Sequence, residues 1–189
     1  MSIADPALID RGHATIALTR LAWLMCFAVA IGGALAEICL LWVWLNPQYV
    51  EAYVVPHLGL PAGAATLDGG TRAAGFAISM LPLAMLFYAL HQAYALFDDY
   101  RLGRVLSQDA PLRLRRIGLT MLALAIARPI ANMALSVALT AANPPGEKML
   151  TIGISLDDYM IAVFGGLVLA IGHAMVEANR IADENRQII

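Results

Sequence analysis

At 189 residues, 60% hydrophobic and 14% charged, with a mean hydropathy of +0.71, the chain is too apolar for a soluble globular domain and reads as a membrane protein. Twelve basic against fourteen acidic side chains give a formal charge of -2. That balance leaves no basic surplus for a polyphosphate backbone, so direct nucleic-acid binding is excluded as the main activity.

In chain order, Asp5-Pro6 has the form of a helix cap followed by proline at the first helical position, which predicts a short interfacial helix. Four stretches are then long and apolar enough to cross a bilayer, at about 21–45, 73–97, 117–142 and 159–178. The first contains Ala34-Leu35-Ala36, which matches a signal-peptidase site, but its apolar run continues through Ile38 to Leu45 and is too long for a signal core. Cys26 and Cys39 both lie in this stretch, about 20 Å apart along a helix, so they form neither a disulfide nor a zinc motif. The expected fold is all-α: a polytopic membrane protein, one domain over 1–189, in the form of a four-helix transmembrane bundle.

The connecting segments set the expected orientation. Arg11, Arg20, Arg101, Arg104, Arg113, Arg115, Arg116, Arg180 and Arg186 fall before the first span, in the 98–116 loop or in the 179–189 tail. Only Arg72 and Lys148 lie in the other two loops. The positive-inside rule therefore puts both termini and the 98–116 loop in the cytoplasm, with the protein in a bacterial inner membrane. The outer loops carry Gly/Pro clusters at 58–63 and 143–146 and read as irregular turns without room for a soluble domain.

Ionisable groups inside a span cost roughly 2.5–3.5 kcal/mol near its centre, so they are expected to face inward and find partners. Arg128 in the third span and Glu37 in the first differ in depth by about 8 Å, within reach of an arginine side chain, which predicts an intramembrane pair. Thr120, Arg128, Asn132, Ser136 and Thr140 repeat at multiples of four and form a polar stripe around that pair. Pro129 adds a kink or local water site. In the first span Cys26, Ala30, Gly33 and Glu37 form a small-residue seam, and Gly32-Gly33 and Gly165-Gly166 read as close-packing positions. The pair either fixes helix register or builds a ligand, ion or proton site, the remaining alternative being that the two make no contact.

His91 and His173 lie at one expected depth on the second and fourth spans, the arrangement that binds haem iron in a membrane cytochrome; the competing reading is that each bonds a neighbouring helix or reaches the headgroups. His173 and Glu177 share a face, but one histidine and one carboxylate do not make a metal site. No phosphate loop, G-x-S-x-G elbow or H-E-x-x-H motif is present, so neither an enzyme nor a resident cofactor or metal is expected. The 98–116 loop, with Ser107 or Asp109 capping a helix near Pro111, and the tail form the expected partner surface, carried by Arg104, Arg113, Arg116, Glu177, Arg180 and Glu184.

The segment ALFDDYRLGRVLSQDAPLRLRRIGLTMLALAIARPI, 95–130, resembles the middle signature of the bacterial membrane proteins of domain-of-unknown-function family 2975, through Phe97, Gly103, Val105, Leu106, Arg115, Arg116, Ile117 and Gly118. Ser107-Gln108-Asp109-Ala110 stands where that signature more often has Thr-x-x-Asn. The ending GGLVLAIGHAMVEANRIADENRQII, 165–189, is similar to that family's ending at Glu184, Asn185 and Ile188. Members are often encoded beside a very small helix-turn-helix regulator. The resemblance thus implies a non-enzymatic membrane regulator or scaffold that holds such a protein, in contact with membrane lipid and with self-association open. The alternatives are a small transporter or channel subunit using Glu37 and Arg128 as a relay, and a b-type cytochrome using His91 and His173.

Overall fold

The computed structural model describes residues 6–102 and 109–186, with side chains except at 6–18, 182, 183, 185 and 186. Among the described residues there are four long helices and no strand: α1 (Pro6–Leu45), α2 (Gly69–Arg101), α3 (Ala110–Thr140) and α4 (Leu156–Arg186). Each is long and apolar enough to cross a membrane, over Thr19–Leu45, Gly69–Arg101, Ala110–Thr140 and Leu156–Ile181. Trp23, Leu24, Phe27 and Ile38 are each more than half exposed. Such a surface is stable only against hydrocarbon, and it marks a membrane protein. Among the described residues no separate interfacial helix precedes the first span. Pro6 instead opens a continuous helix of 40 residues, about 60 Å long at 1.5 Å per residue.

The helices pack in chain order, α1 on α2, α2 on α3 and α3 on α4, and no comparable interface joins α1 to α4. On α1 the protected positions are Ala22, Met25, Cys26, Val29, Gly33, Ala36, Leu40, Val43 and Trp44. Their steps of three and four keep one seam facing a neighbour crossing at a shallow angle. Ala30 and Glu37 lie off that seam and are exposed, so the small-residue stripe expected through them is displaced by one position.

The tightest interface joins α3 to α4. A Cβ on Gly118 would sit 2.5 Å from the Leu169 nitrogen, one on Gly172 2.8 Å from the Arg115 nitrogen, and one on Gly165 2.8 Å from Met121 Cβ. Advancing along α3 through Arg115, Gly118 and Met121 steps back along α4 through Gly172, Leu169 and Gly165, an antiparallel register fixed by backbone contact. Of the two glycine pairs, only Gly33 and Gly165 are close-packed, and Gly32 and Gly166 face open space.

At the end where α1 and α3 finish, the first loop is no irregular turn. It folds into helical pieces at Pro47–Tyr49, Val50–Val54 (a π-helical turn) and Val55–His57. They stop in a Schellman motif: Gly59 adopts φ +70, its N–H bonds to Pro56, and the N–H of Leu60 bonds to Val55. Val50, Val55, Leu58 and Leu60 pack with Trp44, Leu135 and Leu139 into the main apolar cluster. Trp44 lies over α2 so closely that a Cβ on Gly75 would fall 2.0 Å from its ring.

Polar ties close this cap. Arg72 Nη1 donates to the Leu45 carbonyl at 2.9 Å, Thr66 donates through N to Leu139 O at 2.9 Å, and Asn143 donates to Ala64 O at 2.8 Å. Each ends on a helix-terminal or loop carbonyl that the chain must satisfy locally. Asp68 caps α2 by accepting from the Thr71 N–H at 2.8 Å. At the opposite end α3 starts at Ala110, with Asp109 as its N-cap residue but without a side-chain bond. Ser107 lies outside the described residues.

Two measurements check this architecture. Gly118→Ala must force backbone apart along α3 and α4 and is expected to destabilise by about 1–3 kcal/mol, whereas Gly166→Ala, with nothing in its way, leaves thermal unfolding in detergent unchanged. Hydrogen bonding to Thr71, helped by Arg72, holds the Asp68 carboxyl below the usual carboxylate range. Its folded value is thus lower than its unfolded one, near 3.9, so its contribution is fully present above about pH 4 and vanishes as pH falls through the lowered value. Asp68→Ala should remove that acid-dependent part of the unfolding curve, and an unaltered acid limb would refute the cap's role.

Candidate functional site

The second loop decides where α4 begins. After Thr140 the chain turns at 141–146 and then runs extended until α4 starts at Leu156. Extended backbone beside a membrane helix needs partners for its N–H groups. The polar stripe of α3 provides them: Thr140 Oγ1 accepts from the Met149 N–H at 3.0 Å and Ser136 Oγ from the Thr151 N–H at 3.1 Å. Four helical residues rise about 6 Å and two extended residues about 6.6 Å, so hydroxyls four apart on α3 match N–H groups two apart on the strand-like segment. Ser136 and Thr140 are fully buried. The same alternation leaves Leu150, Ile152 and Ile154 facing outward, each 60% or more exposed.

This descent brings the start of α4 level with the middle of α3. Ser155 and Asp158 form a reciprocal capping box: Asp158 Oδ2 accepts from the Ser155 N–H at 2.9 Å and from its hydroxyl at 2.8 Å, while the Asp158 N–H donates to Ser155 Oγ at 3.1 Å. Asp158 is 2% exposed, and its other oxygen, Oδ1, lies 3.2 Å from Arg128 Nη1. The contact is an ion pair without hydrogen-bond geometry, for Oδ1 has no hydrogen-bond partner.

Arg128 is therefore an inward-facing, paired cation, but its partner is Asp158 and not Glu37. Glu37 is exposed on α1, off the protected seam. The relay expected between Glu37 and Arg128 is not assembled. The reason is the one-position phase error on α1, together with an aspartate that looks in sequence like part of a solvated outer loop.

Beside the pair lies an apolar cavity of about 550 Å³ between α1, α2, α3 and the cap. Leu40, Val43, Leu83, Leu86 and Leu124 form its greasy wall. Arg128, Asn132 and His57 are among the polar and charged side chains beside this wall. Asn132 and His57 also border a smaller cavity of about 200 Å³ with Thr151, Gly153 and Ser155. The π-helical turn brings Tyr53 and Val54 to the larger cavity's rim; such turns recur at functional sites.

The histidines are not brought together. α2 and α4 pack on either side of α3, and both His91 and His173 are exposed. His173 Nδ1 lies 3.0 Å from the Leu169 carbonyl of its own helix. Among the described residues no group of three or more His, Cys, Asp or Glu converges as a metal site would require.

At the end bearing the helix termini, ion pairs organise the surface. Arg101 pairs with Asp98 at 2.7 Å, Arg113 Nε stands 3.7 Å from Asp99 across the α2–α3 connection, and Arg180 bridges Glu177 at 2.5 Å and Glu184 at 2.8 Å. Arg116 is exposed, and its carbonyl accepts from the Thr120 hydroxyl at 2.7 Å. Arg104 lies outside the described residues.

Sequence reading missed Asp158, His57 and Trp44. For Asp158 a signal existed in Ser155-x-x-Asp158, a capping-box spacing just before an apolar run.

The pair is tested by its asymmetry. Arg128→Met strands a buried carboxylate and should cost about 3–5 kcal/mol, and Asp158→Asn in the same chain should restore most of the loss. Equal destabilisation in single and double variants, by thermal unfolding in detergent, would show that the two residues act separately.

A family model described as "Protein of unknown function (DUF2975)" matches residues 16–189. No curated protein and no solved structure matches the chain.

Proposed function

Because the chain belongs to the DUF2975 family, whose description assigns no activity, we propose from its architecture that it is a non-enzymatic integral membrane regulator or scaffold. In this reading it sits in the bacterial cytoplasmic membrane with both termini inside, and its terminal face holds a small helix-turn-helix regulator. Membrane lipid surrounds the exposed apolar faces, self-association remains open to them, and no nucleic acid binds directly.

The observation that carries the reading is the ion-paired helical surface at one end. Arg180 with Glu177 and Glu184 stiffens the last turns of α4, and Asp98, Asp99, Arg101 and Arg113 line the neighbouring ends of α2 and α3. Exposed pairs of this kind add little stability, so their value lies in presenting fixed, mixed charge to a partner. The basic bias of the same end supports placing it in the cytoplasm.

Co-purification of the full-length protein with the co-expressed regulator tests this. Reversing Glu177 and Glu184 to arginine should reduce capture at least ~10-fold through like-charge repulsion with Arg180, while Gly166→Ala captures normally. If no regulator co-purifies, and removal of residues 177–189 leaves target transcription unchanged, the reading is overturned.

A further inference from the structure

We propose that the cavity beside Arg128 is a binding site for a lipophilic monocarboxylate, a single apolar chain ending in a carboxylate such as a long-chain fatty acid. The inference stands independently of the partner reading, because it concerns the capped end and uses none of the terminal-face residues.

The donor set argues the headgroup. Arg128 spends only Nη1 on Asp158; among the described residues no hydrogen bond reaches its remaining N–H groups, and its side chain is 26% exposed. A guanidinium edge left open in this way accepts two oxygens side by side, the geometry of a carboxylate. Trp44 forms part of the wall, but its indole N–H is sealed inside the packing, so Arg128 is the donor that carries the headgroup. His57 and Asn132 line the same space, and no hydrogen bond to either side chain is found among the described residues. Arginine only donates, and the histidine and the amide each have N–H groups to offer, so the lining favours an acceptor-rich ligand.

The walls argue the tail. About 550 Å³ falls within the range of small-molecule sites. By helical rise, Arg128 lies about 18 Å below the capped end of α3, and Leu124 about 24 Å below it. Leu83 and Leu86 of α2 face the same space, giving a chain an apolar path deeper than the polar rim. An amphiphile whose head lies under the cap and whose tail points to the bilayer centre matches that gradient. Asp158 does not forbid an anion there, since Oδ2 is held by Ser155 and Oδ1 faces Arg128.

Cys39 lines the cavity and serves as a reporter. In full-length protein carrying Cys26→Ser, purified in a neutral maltoside detergent, palmitate should slow alkylation of Cys39 by N-ethylmaleimide saturably and at least ~10-fold. Hexadecanol, with the same chain and no carboxylate, should protect far less. Leu83→Trp, which fills the wall, should abolish the palmitate effect with unchanged thermal unfolding. Ala36→Phe, on the opposite wall, gives the same readout should the tryptophan variant fail to fold. Asn132→Leu should shift the palmitate dependence to higher concentration. The proposal is overturned if palmitate gives no saturable protection, if hexadecanol protects equally, or if protection survives in the folded wall-filling variant.

Discussion

A carboxylate almost sealed from solvent at the first turn of α4 must be balanced by a cation, and Arg128 is that cation. Much of the structure depends on the pairing. Arg128 sits about 12 residues before the end of α3, so Asp158 can meet it only if α4 starts far below the end of its neighbour. The second loop is consequently drawn back along α3 as extended chain. Its N–H groups fall on Ser136 and Thr140, which are completely buried for this purpose. Polar residues in a span are expensive, and here each of these offsets a cost created by another.

The same displacement shapes the cavity. With α4 beginning deep, the upper part of α3 is covered by a thin extended segment and by the helical cap of the first loop, and α1 and α4 have no comparable interface. Space remains between α1, α2 and α3 under Tyr53, Val54 and His57. Below that level the α3–α4 glycine contacts close the gap to backbone distance. The molecule is thus tight where two helices meet through glycine and loose where a loop replaces helix. Ligand-sized space belongs at the loose end.

The helical class, the four spans and the inward placement of Arg128 were legible because composition and span length are dictated by hydrocarbon thickness. The family was legible in the segments around Gly118 and Gly165. The partner of Arg128 was not. Glu37 has the right depth, but its azimuth depends on whether α1 follows a step of four or of three, which hydropathy does not register in a helix apolar on all sides. Asp158 has the right azimuth, yet it follows a loop with no span-like signal, and only the register with α3 gives its depth. The cap was hidden for a related reason: Val50, Val55, Leu58 and Leu60 form too short an apolar run to announce a core until Trp44 and Leu139 are known to adjoin them.

Because every extensive interface between long helices joins neighbours in sequence, few contacts between them wait for a distant part of the chain to be made. α1 can dock on α2 as a hairpin while the ribosome is still synthesising α3, and α4 arrives last to a complementary, glycine-grooved surface. Low contact order of this kind favours rapid assembly and limits the time unpaired apolar segments spend without partners. The exception is Arg128, which enters the bilayer without its aspartate. Biogenesis must therefore shelter one orphan cation until the final helix is threaded.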